Sequence, residues 1–456
     1  MEDILIRAGQ FLLSLTLLVF LHEMGHFIPA KLFKVRVSKF YVFFDFLFPL
    51  PKVLNFSLFK KKIGETEYGI GWFPLGGYVQ IEGMVDESMD TEKLNLPPEP
   101  WEFRSKPAWQ RLIIMVGGVV VNIVVAMIIY SGILMYYGQT YLPMKNATNG
   151  IMIVDSLGYE LGFKDGDKII SVNQRPVEKF NEFTKTLLID EAKTIEIIRN
   201  GVDTALQVPT GYVSKVLSNT AKTKKLSLIE PRIPVEVAAL APGFNAEKAG
   251  LEVGDRIVGV NERPTYFYDE MVREFKANKG QEVELQIVRA GENENLKVQV
   301  DSNGTIGIRP EVDLSKYYDI ATVKYTPLQA IPAGINLAVT SLTDYVKQMK
   351  LLFNGTAKVS ESAGGFISIA KIFGTEWDWF RFWNMTAMIS IILAFMNILP
   401  IPALDGGHAM FIIYEMIFRK PPPLKFMEYA QMGGMIFLLF VMLYFNGLDF
   451  FREFFK

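Results

Sequence analysis

The sequence contains no cysteine, only three histidines and almost no net charge. The absence of cysteine excludes structural disulfides, thiolate metal sites and a cysteine nucleophile. A formal net charge of −2 over 456 residues gives no global field that would attract nucleic acid. Charged residues make up only 21% of the chain, which is low for a soluble protein but too high for one lying entirely in lipid. The composition therefore predicts membrane-spanning helices combined with water-exposed domains.

Three uncharged apolar stretches, residues 112–137, 382–404 and 430–448, are long enough to cross a hydrocarbon core. A fourth stretch, residues 4–29, is apolar from Phe11 to Leu21 and then continues as His-Glu-Met-Gly-His-Phe. We predict a spanning helix here rather than a secretory signal peptide. The leading segment MEDILIR is not basic, and no small-residue cleavage site follows the apolar run.

Lysine and arginine are concentrated on one side of these stretches. Residues 31–111, between the first two predicted helices, hold twelve of them, and the short link before the last helix holds Arg419, Lys420 and Lys425. Cytoplasmic loops are enriched in these residues. We therefore predict that the 31–111 loop is cytoplasmic. Both termini and the long segment between helices two and three are then predicted to be external.

An internal repeat lies in that long segment. Residues 161–177 (LGFKDGDKIISVNQRPV) match residues 249–265 (AGLEVGDRIVGVNERPT) at an offset of 88, with eight identities in the first sixteen positions. This period is the length of a small domain and is too long for a solenoid repeat. The shared Gly-Asp turn followed by a strand resembles the bacterial form of the PDZ domain, which binds extended peptides at a sheet edge. The first copy departs from the pattern in its Leu157-Gly-Tyr and Leu161-Gly-Phe segments, so a spacer without a ligand is its alternative reading.

His22, Glu23 and His26 form the pattern His-Glu-x-x-His, which is typical of zinc peptidases. On a helix, residues four apart share one face, so both imidazoles can bind one metal ion. Glu23 is then close enough to take a proton from water at the metal. Ionisable side chains within an apolar helix are costly in lipid, which favours a functional role.

A catalytic zinc site needs a third protein ligand. Asp405 is the single acidic residue between Phe382 and Ile413, and it follows two prolines that interrupt the helix. His408 is a competing candidate, but a carboxylate also offsets the charge of the metal. Asp405 could in addition cap the helix that follows it, which would not exclude ligation.

Together these features resemble the site-2 protease family, in its bacterial regulator-of-sigma-E protease branch. The resemblance rests on His-Glu-x-x-His in the first helix, the tandem PDZ pair, and Asn-x-x-Pro-x-Pro-x-Leu-Asp-Gly-Gly (397–407) in the third helix. It implies a Zn²⁺ ion held by His22, His26 and Asp405, with Glu23 as the general base. Residues 71–78 resemble the membrane-dipping β-loop of the family.

The resemblance also implies a set of substrate-binding residues, which are Asn397, Gly76, Gly77 and Pro402. The family segment Gly-Pro-x-Gly-Ile before the third helix is not found, and Ser362-Ala-Gly-Gly-Phe-Ile occupies that region. The segment 328–353 is amphipathic and is predicted to lie along the external interface. Pro332 is expected at its flank.

The predicted fold is a polytopic α-helical membrane protein with four transmembrane helices and two β-rich PDZ-like domains inserted between helices two and three. The predicted segments are the first transmembrane helix (1–30), a cytoplasmic loop with the β-loop near 66–84 (31–111), the second helix (112–137), the two PDZ-like domains (138–225 and 226–312), an interfacial segment (313–381), the third helix with the helix that follows it (382–418), and the fourth helix (430–448).

The function implied is intramembrane proteolysis of single-pass membrane proteins, such as an anti-sigma factor or remnant signal peptides, in the bacterial inner membrane. The external PDZ pair, which can also bind peptide or protein ligands, is expected to admit only substrates whose outer domain has been trimmed. No nucleic-acid partner is expected. A non-catalytic membrane-anchored PDZ scaffold is the main alternative. A zinc peptidase acting on soluble peptides is a third, although the apolar surroundings of the motif argue against it.

Overall fold

A computed structural model describes residues 2–47, 54–74, 76–84, 97–223 and 226–455. Its α-helices are α1 (Glu2–Leu32), α2 (Ala108–Tyr137), α3 (Ser156–Glu160), α4 (Phe183–Ile189), α5 (Tyr212–Thr223), α6 (Asn245–Lys248), α7 (Tyr268–Ala277), α8 (Pro327–Phe353), α9 (Val359–Ser362), α10 (Phe366–Ile372), α11 (Trp379–Ile398), α12 (Asp405–Phe418) and α13 (Leu424–Phe454). Its β-strands are β1 (Val37–Tyr41), β2 (Ser57–Ile63), β3 (Thr66–Gly71), β4 (Tyr78–Ile81), β5 (Gln139–Tyr141), β6 (Ile151–Ile153), β7 (Lys168–Val172), β8 (Arg175–Pro176), β9 (Thr194–Arg199), β10 (Val202–Gln207), β11 (Ile229–Pro231), β12 (Val235–Leu240), β13 (Arg256–Val260), β14 (Arg263–Pro264), β15 (Glu282–Arg289), β16 (Glu292–Gln299), β17 (Ile308–Pro310) and β18 (Ala321–Val323).

Four of the helices, α1, α2, α11 and α13, are long and apolar enough to cross a membrane, as judged from length and composition. They coincide with the four stretches predicted from the sequence, and each begins a few residues before the predicted start. The protein is therefore a membrane protein that also carries several β-sheets.

The chain divides into two compact units. The membrane unit consists of Met1–Gly138, Lys324–Val346 and Ala363–Lys456, and contains all four spanning helices. The repeat unit consists of Gln139–Val323 and Lys347–Ser362, and contains both copies of the internal repeat.

Within the membrane unit, α1 and α2 approach each other backbone to backbone. A Cβ atom built on Gly25 would lie 2.5 Å from the carbonyl oxygen of Gly117. In the other direction, a Cβ atom on Gly117 would lie 2.0 Å from the carbonyl oxygen of Gly25. Helices in lipid gain no hydrophobic driving force from association, so small residues that allow close packing are common at their interfaces. The paired glycines therefore bring α2 directly against the face of α1 that carries His22 and His26.

A four-stranded sheet follows α1, in the order β2-β3-β1-β4. Strand β1 is parallel to β3 and antiparallel to β4, which leaves β4 at one edge. Strands β3 and β4 lie within the β-loop predicted near 66–84, although Leu75 of that loop and residues 85–96 lie outside the described residues. The sheet packs through Phe40 and Val79 against apolar residues of α1 and α2.

The third spanning stretch is interrupted in the way that its prolines predict. Helix α11 ends at Ile398, and α12 begins at Asp405. Pro400 and Pro402 have no backbone N–H group, so neither can continue a helical hydrogen-bond ladder. Carbonyl groups of the connecting loop then lie against the first turn of α12, where a Cβ on Gly406 would be 2.3 Å from the carbonyl oxygen of Leu399.

The predicted interfacial segment contains three complete α-helices among its described residues, α8, α9 and α10. Helix α8 begins at Pro327, so Pro332 lies inside it and not at its flank as the sequence analysis expected. Ala338 of α8 is buried in one cluster with Ala126 of α2 and Ile391 of α11. The position of α8 at the external interface stays a prediction.

The Ser362-Ala-Gly-Gly-Phe-Ile segment, whose role the sequence left open, leads into α10 and is held by α13. The carboxylate of Asp449 accepts hydrogen bonds from the N–H groups of Gly365 and Ser368 and from the Ser368 hydroxyl. Asn446 accepts one from the N–H of Phe366. The first turn of a helix leaves N–H groups without partners, and α13 supplies acceptors for three of them.

In the repeat unit the two copies share backbone conformation as well as sequence. At the 88-residue offset, Asn173 and Asn261 have φ values of 51° and 49°, and both lie in the left-handed region. Each asparagine oxygen accepts a backbone N–H from the next long strand. Asparagine tolerates this conformation better than most residues. The repeated Val-Asn is therefore the turn that follows β7 in one copy and β13 in the other.

Each copy also contains the same arginine clamp. Arg199 donates to both carboxylate oxygens of buried Asp167 and to the carbonyl of Gly162. Arg289 does the same for Asp255 and for the carbonyl of Gly250. Bidentate pairing of this kind satisfies a buried carboxylate. The repeated Gly-Asp is thus one half of the clamp, and its arginine half lies on a distant strand.

The copies differ in their last connection. In the first, residues 208–228 contain the extra helix α5, whose Tyr212 hydroxyl donates to the carbonyl of Leu157. In the second, β16 is separated from β17 by residues 300–307 alone. Strand β11 lies beyond residue 225, the predicted end of the first domain, and pairs with β6 of the first copy.

Candidate metal centre

Helix α1 presents the two histidines of the motif on one face. The Nε2 atoms of His22 and His26 lie 3.3 Å apart. Their ring planes are nearly perpendicular, with centroids 4.9 Å apart. Two nitrogen atoms at this separation point toward a common position, as the four-residue spacing on a helix requires.

Asp405, the first residue of α12, completes a group of three. Its Oδ2 atom lies 3.3 Å from Nε2 of His22 and 3.3 Å from Nε2 of His26. Within the described part of the chain, this is the one cluster of at least three His, Cys, Asp or Glu residues suited to a metal ion. His408, the competing candidate, lines the same cavity but does not belong to the cluster.

The donor set fits zinc in both chemistry and spacing. Two imidazole nitrogens and one carboxylate oxygen form a common catalytic zinc site, with bonds of about 2.0–2.2 Å. Ligands at the corners of a tetrahedron with such bonds are separated by about 3.3–3.6 Å, which matches the three separations of 3.3 Å found here. Oδ2 of Asp405 is also buried without a hydrogen-bond partner. A metal ion bound by the three donors would remove that unsatisfied acceptor.

Backbone and amide groups of α2 orient the histidine rings. Nδ1 of His26 donates to the carbonyl oxygen of Ile114 at 2.8 Å, which leaves its Nε2 atom free to bind a metal. Nδ1 of His22 lies 3.2 Å from the Asn122 amide. The Oδ1 atom of Asn122 is buried without a partner. Turning this amide end for end lets Oδ1 accept the Nδ1 hydrogen of His22, because amide orientation is assigned from hydrogen bonding.

All but one of the remaining predicted site residues line a cavity at the cluster. A cavity of about 230 Å³ is lined by Glu23, Gly76, Gly77 and Asn397 together with the three donors. Glu23 is buried beside His22, and the Nδ2 atom of Asn397 lies 3.2 Å from Nε2 of His22. Pro402 is not among the residues that line the cavity. The structure thus brings all of the predicted site residues except Pro402 to one cavity, while their catalytic and substrate-binding roles stay predictions.

Gly118 of α2 forms the floor under both histidine rings. A Cβ atom at this position would lie 2.5 Å from Cε1 of His22 and 2.5 Å from Nε2 of His26. No side chain fits in that space without moving the rings. The close approach of α1 and α2 at the paired glycines therefore continues directly into the site.

Sequence reasoning missed two polar residues at the cavity, Asn122 on α2 and Gln431 on α13. Both are buried and both line the cavity. A signal was available, because each is a polar side chain within an uncharged spanning stretch, where such residues tend to be functional. Neither falls into a motif with the ligands, since they lie on other helices.

The sequence is similar to a known peptidase family and to several proteases. The model of Peptidase family M50 matches residues 10–441. A protein of Neisseria meningitidis named as a zinc metalloprotease is 28% identical over 463 residues, covering 97% of this chain and 97% of its own. The regulator of sigma-E protease RseP of Escherichia coli is 28% identical over 465 residues, covering 98% of each chain. Protease RseP of Yersinia pestis is 26% identical over 493 residues, covering 100% of this chain and 99% of its own.

The family match encloses every residue of the three-donor cluster and both halves of the interrupted third span. Since it covers nearly the whole chain, this protein belongs to peptidase family M50 and is a zinc metalloprotease.

Proposed function

We propose that this protease cleaves the transmembrane segments of single-pass membrane proteins. The observation that carries the proposal is the position of the donor cluster. His22 and His26 lie on a helix of spanning length, and Asp405 follows the end of another. A site built between such helices receives its substrate from the bilayer, which is where a transmembrane segment lies.

His22, His26 and Asp405 are the proposed zinc ligands. A zinc ion held there supplies Lewis acidity toward water and toward the scissile carbonyl. Glu23, buried beside the ligands, accepts the proton of the attacking water and passes it to the leaving amine. The amide of Asn397 is proposed to donate a hydrogen bond to the substrate carbonyl, because its Nδ2 atom faces the cavity beside His22.

The substrate is proposed to bind as an extended strand along β4. A transmembrane helix keeps its carbonyl groups hydrogen-bonded, so the helix must unwind at the scissile bond before water can attack that bond. Strand β4 is an edge of its sheet, and Val79 and Ile81 line the cavity next to Gly76 and Gly77. Edge strands bind extended peptides through main-chain hydrogen bonds. Pro402, the fourth predicted substrate-binding residue, does not line the cavity and lies in the loop between α11 and α12.

The two copies of the repeat are proposed to be PDZ domains that face the external side. Their shared turns and arginine clamps support a common domain type. In this proposal they admit substrates whose outer domain has already been trimmed, and the second copy, which lacks the extra helix α5, is the better candidate for peptide binding. We also propose that the protein lies in a bacterial inner membrane, with both termini external. An anti-sigma factor or a remnant signal peptide is a suitable substrate.

The proposal is tested with full-length protein in proteoliposomes and a tagged single-pass substrate that lacks most of its outer domain. Wild type is compared with Glu23→Gln, and Glu292→Gln on the exposed strand β16 is the matched control. Loss of a general base lowers the rate by about 10²–10⁴. We expect fragments from wild type and from the control, and at least a 100-fold lower rate from Glu23→Gln with unchanged zinc content.

Equal cleavage by wild type and Glu23→Gln would overturn the role of Glu23 as general base, and no cleavage by either protein would favour the membrane-anchored scaffold. A structural metal site needs neither Glu23 nor an open coordination position. Cleavage of a soluble peptide at the same rate as the membrane substrate would favour the third reading, a peptidase of soluble substrates.

A further inference from the structure

The loop before Asp405 contains one residue in a costly backbone conformation. Ala403 has a φ of +82°, in the left-handed region that residues with a Cβ atom rarely adopt. It lies two residues before the carboxylate that completes the donor cluster. Such conformations persist only where the surroundings hold them in place, and they are concentrated at functional sites.

Gln431 of α13 is the group that holds Ala403. Its Oε1 atom accepts the Ala403 N–H at 3.1 Å across 28 residues of sequence. The side chain is only 4% exposed and lines the same cavity as the zinc-binding candidates. Removing this acceptor would leave a partly buried backbone N–H without its protein partner, which is costly.

Helix α13 is built to reach this loop. Its buried residues are Gln431, Gly434 and Asp449, and its other side chains are partly or fully exposed. A Cβ atom on Gly434 would lie 1.7 Å from the carbonyl oxygen of Pro402, so the backbone of α13 touches the loop one turn after Gln431. Residues three apart share a helix face. Gln431 and Gly434 therefore form one contact surface directed at residues 402–403.

From these contacts we propose that Gln431 is a positioning residue for zinc binding. By holding Ala403 in its left-handed conformation, it fixes the direction in which the loop enters α12 and so places the carboxylate of Asp405 against His22 and His26. The inference rests on the proposed role of Asp405 as a ligand. It adds that the fourth spanning helix, which contributes no ligand, determines how well the third ligand is presented.

The test measures zinc affinity by competition with a chelator, using the full chain in detergent or nanodiscs. Gln431→Leu removes the acceptor at similar size. Loss of a group that orients a ligand typically lowers metal affinity by 10–100-fold, so we expect a decrease of about tenfold or more. Gln431→Glu keeps an acceptor at the same reach and is expected to bind zinc about fivefold more tightly than Gln431→Leu.

A second change tests the mechanism itself. Ala403→Gly removes the cost of the left-handed conformation, because glycine has no Cβ atom. If Gln431 acts by holding Ala403, the loss caused by Gln431→Leu will be several-fold smaller in the Ala403→Gly background than in the wild-type background. A role in packing alone predicts the same loss in both backgrounds.

Asp405→Asn separates this inference from the assignment beneath it. Zinc affinity unchanged in Asp405→Asn would overturn the ligand assignment and the inference together. Affinity lost in Asp405→Asn but retained in Gln431→Leu would overturn the inference alone. An equal loss in both Ala403 backgrounds would also overturn it. A thermal unfolding transition like that of wild type, measured without zinc, confirms that each variant is folded.

Discussion

Replacing Gly118 with alanine should destroy the metal site at a modest cost to the stability of the fold. The added methyl would lie 2.5 Å from Cε1 of His22 and 2.5 Å from Nε2 of His26. Non-bonded carbon atoms reach an optimum at about 3.5–4.0 Å, so both rings must retreat by about 1 Å. Zinc sites tolerate deviations of about 0.2 Å in ligand distance. Overpacking of this kind costs about 1–3 kcal/mol, and the better helix propensity of alanine, about 0.5–1 kcal/mol, offsets part of that cost.

We expect zinc affinity and proteolysis of Gly118→Ala to fall by at least about 100-fold, which corresponds to about 2.8 kcal/mol of binding free energy. Gly132→Ala on the same helix is the matched control, because nothing lies within 4 Å of its added methyl. Chelator competition measures the affinity, and thermal unfolding without zinc measures the fold. Wild-type affinity in Gly118→Ala would refute the reasoning, since a metal held by His22 and His26 could not survive the displacement of both rings.

Three further predictions follow from other parts of the structure. Chelation of zinc should abolish proteolysis and lower the melting temperature, and added zinc should restore both; a chelated protein that still cleaves would contradict the zinc-dependent mechanism. Burial acts to raise the pKa of Asp255, but hydrogen bonds from Arg289 and from the Glu252 N–H outweigh burial and lower that pKa. The stability that ionised Asp255 contributes is therefore complete above its ordinary pKa of about 3.9 and is lost as pH falls through the lowered pKa. Hydrogen-exchange protection of β13 should therefore decrease on acidification, and Asp255→Asn should be less stable at neutral pH and lose this component of the pH dependence. Asp449→Asn should weaken the hydrogen bonds to α10 by about 1 kcal/mol and speed hydrogen exchange at residues 365–371. Glu428→Gln, near the start of the same helix, should change neither.

Much of the membrane architecture was accessible from the sequence, because lipid imposes simple rules. Three uncharged stretches and the apolar run before His22 predicted the four spanning helices, and two prolines predicted the break before Asp405. The four-residue spacing of His22 and His26 predicted their shared face, which the structure shows. Asp405 was the natural third donor because it is the one acidic residue in its apolar stretch.

The remainder depended on contacts that sequence spacing does not encode. Asn122 and Gln431 reach the site from helices that contribute no ligand, so no motif includes them. The arginine clamps could not be predicted from the repeat, because Arg199 and Arg289 are 90 residues apart while the Gly-Asp turns that they hold repeat at 88. Strand order in the β1–β4 sheet and the inclusion of Pro332 within α8 likewise depend on tertiary packing.

Helix α13 buries two polar side chains, Gln431 and Asp449, while most of its large apolar side chains are exposed, the reverse of a helix in a water-soluble protein. Its attachment at Gln431 and Asp449 rests on hydrogen bonds, whose strength depends on how completely the surrounding medium excludes water. A thin or short-chained detergent micelle that admits water offers competing partners at both points. Solubilisation in such a micelle then weakens the hydrogen bond that holds the loop before Asp405. The choice between micelle and bilayer will therefore change the zinc affinity of an unaltered sequence.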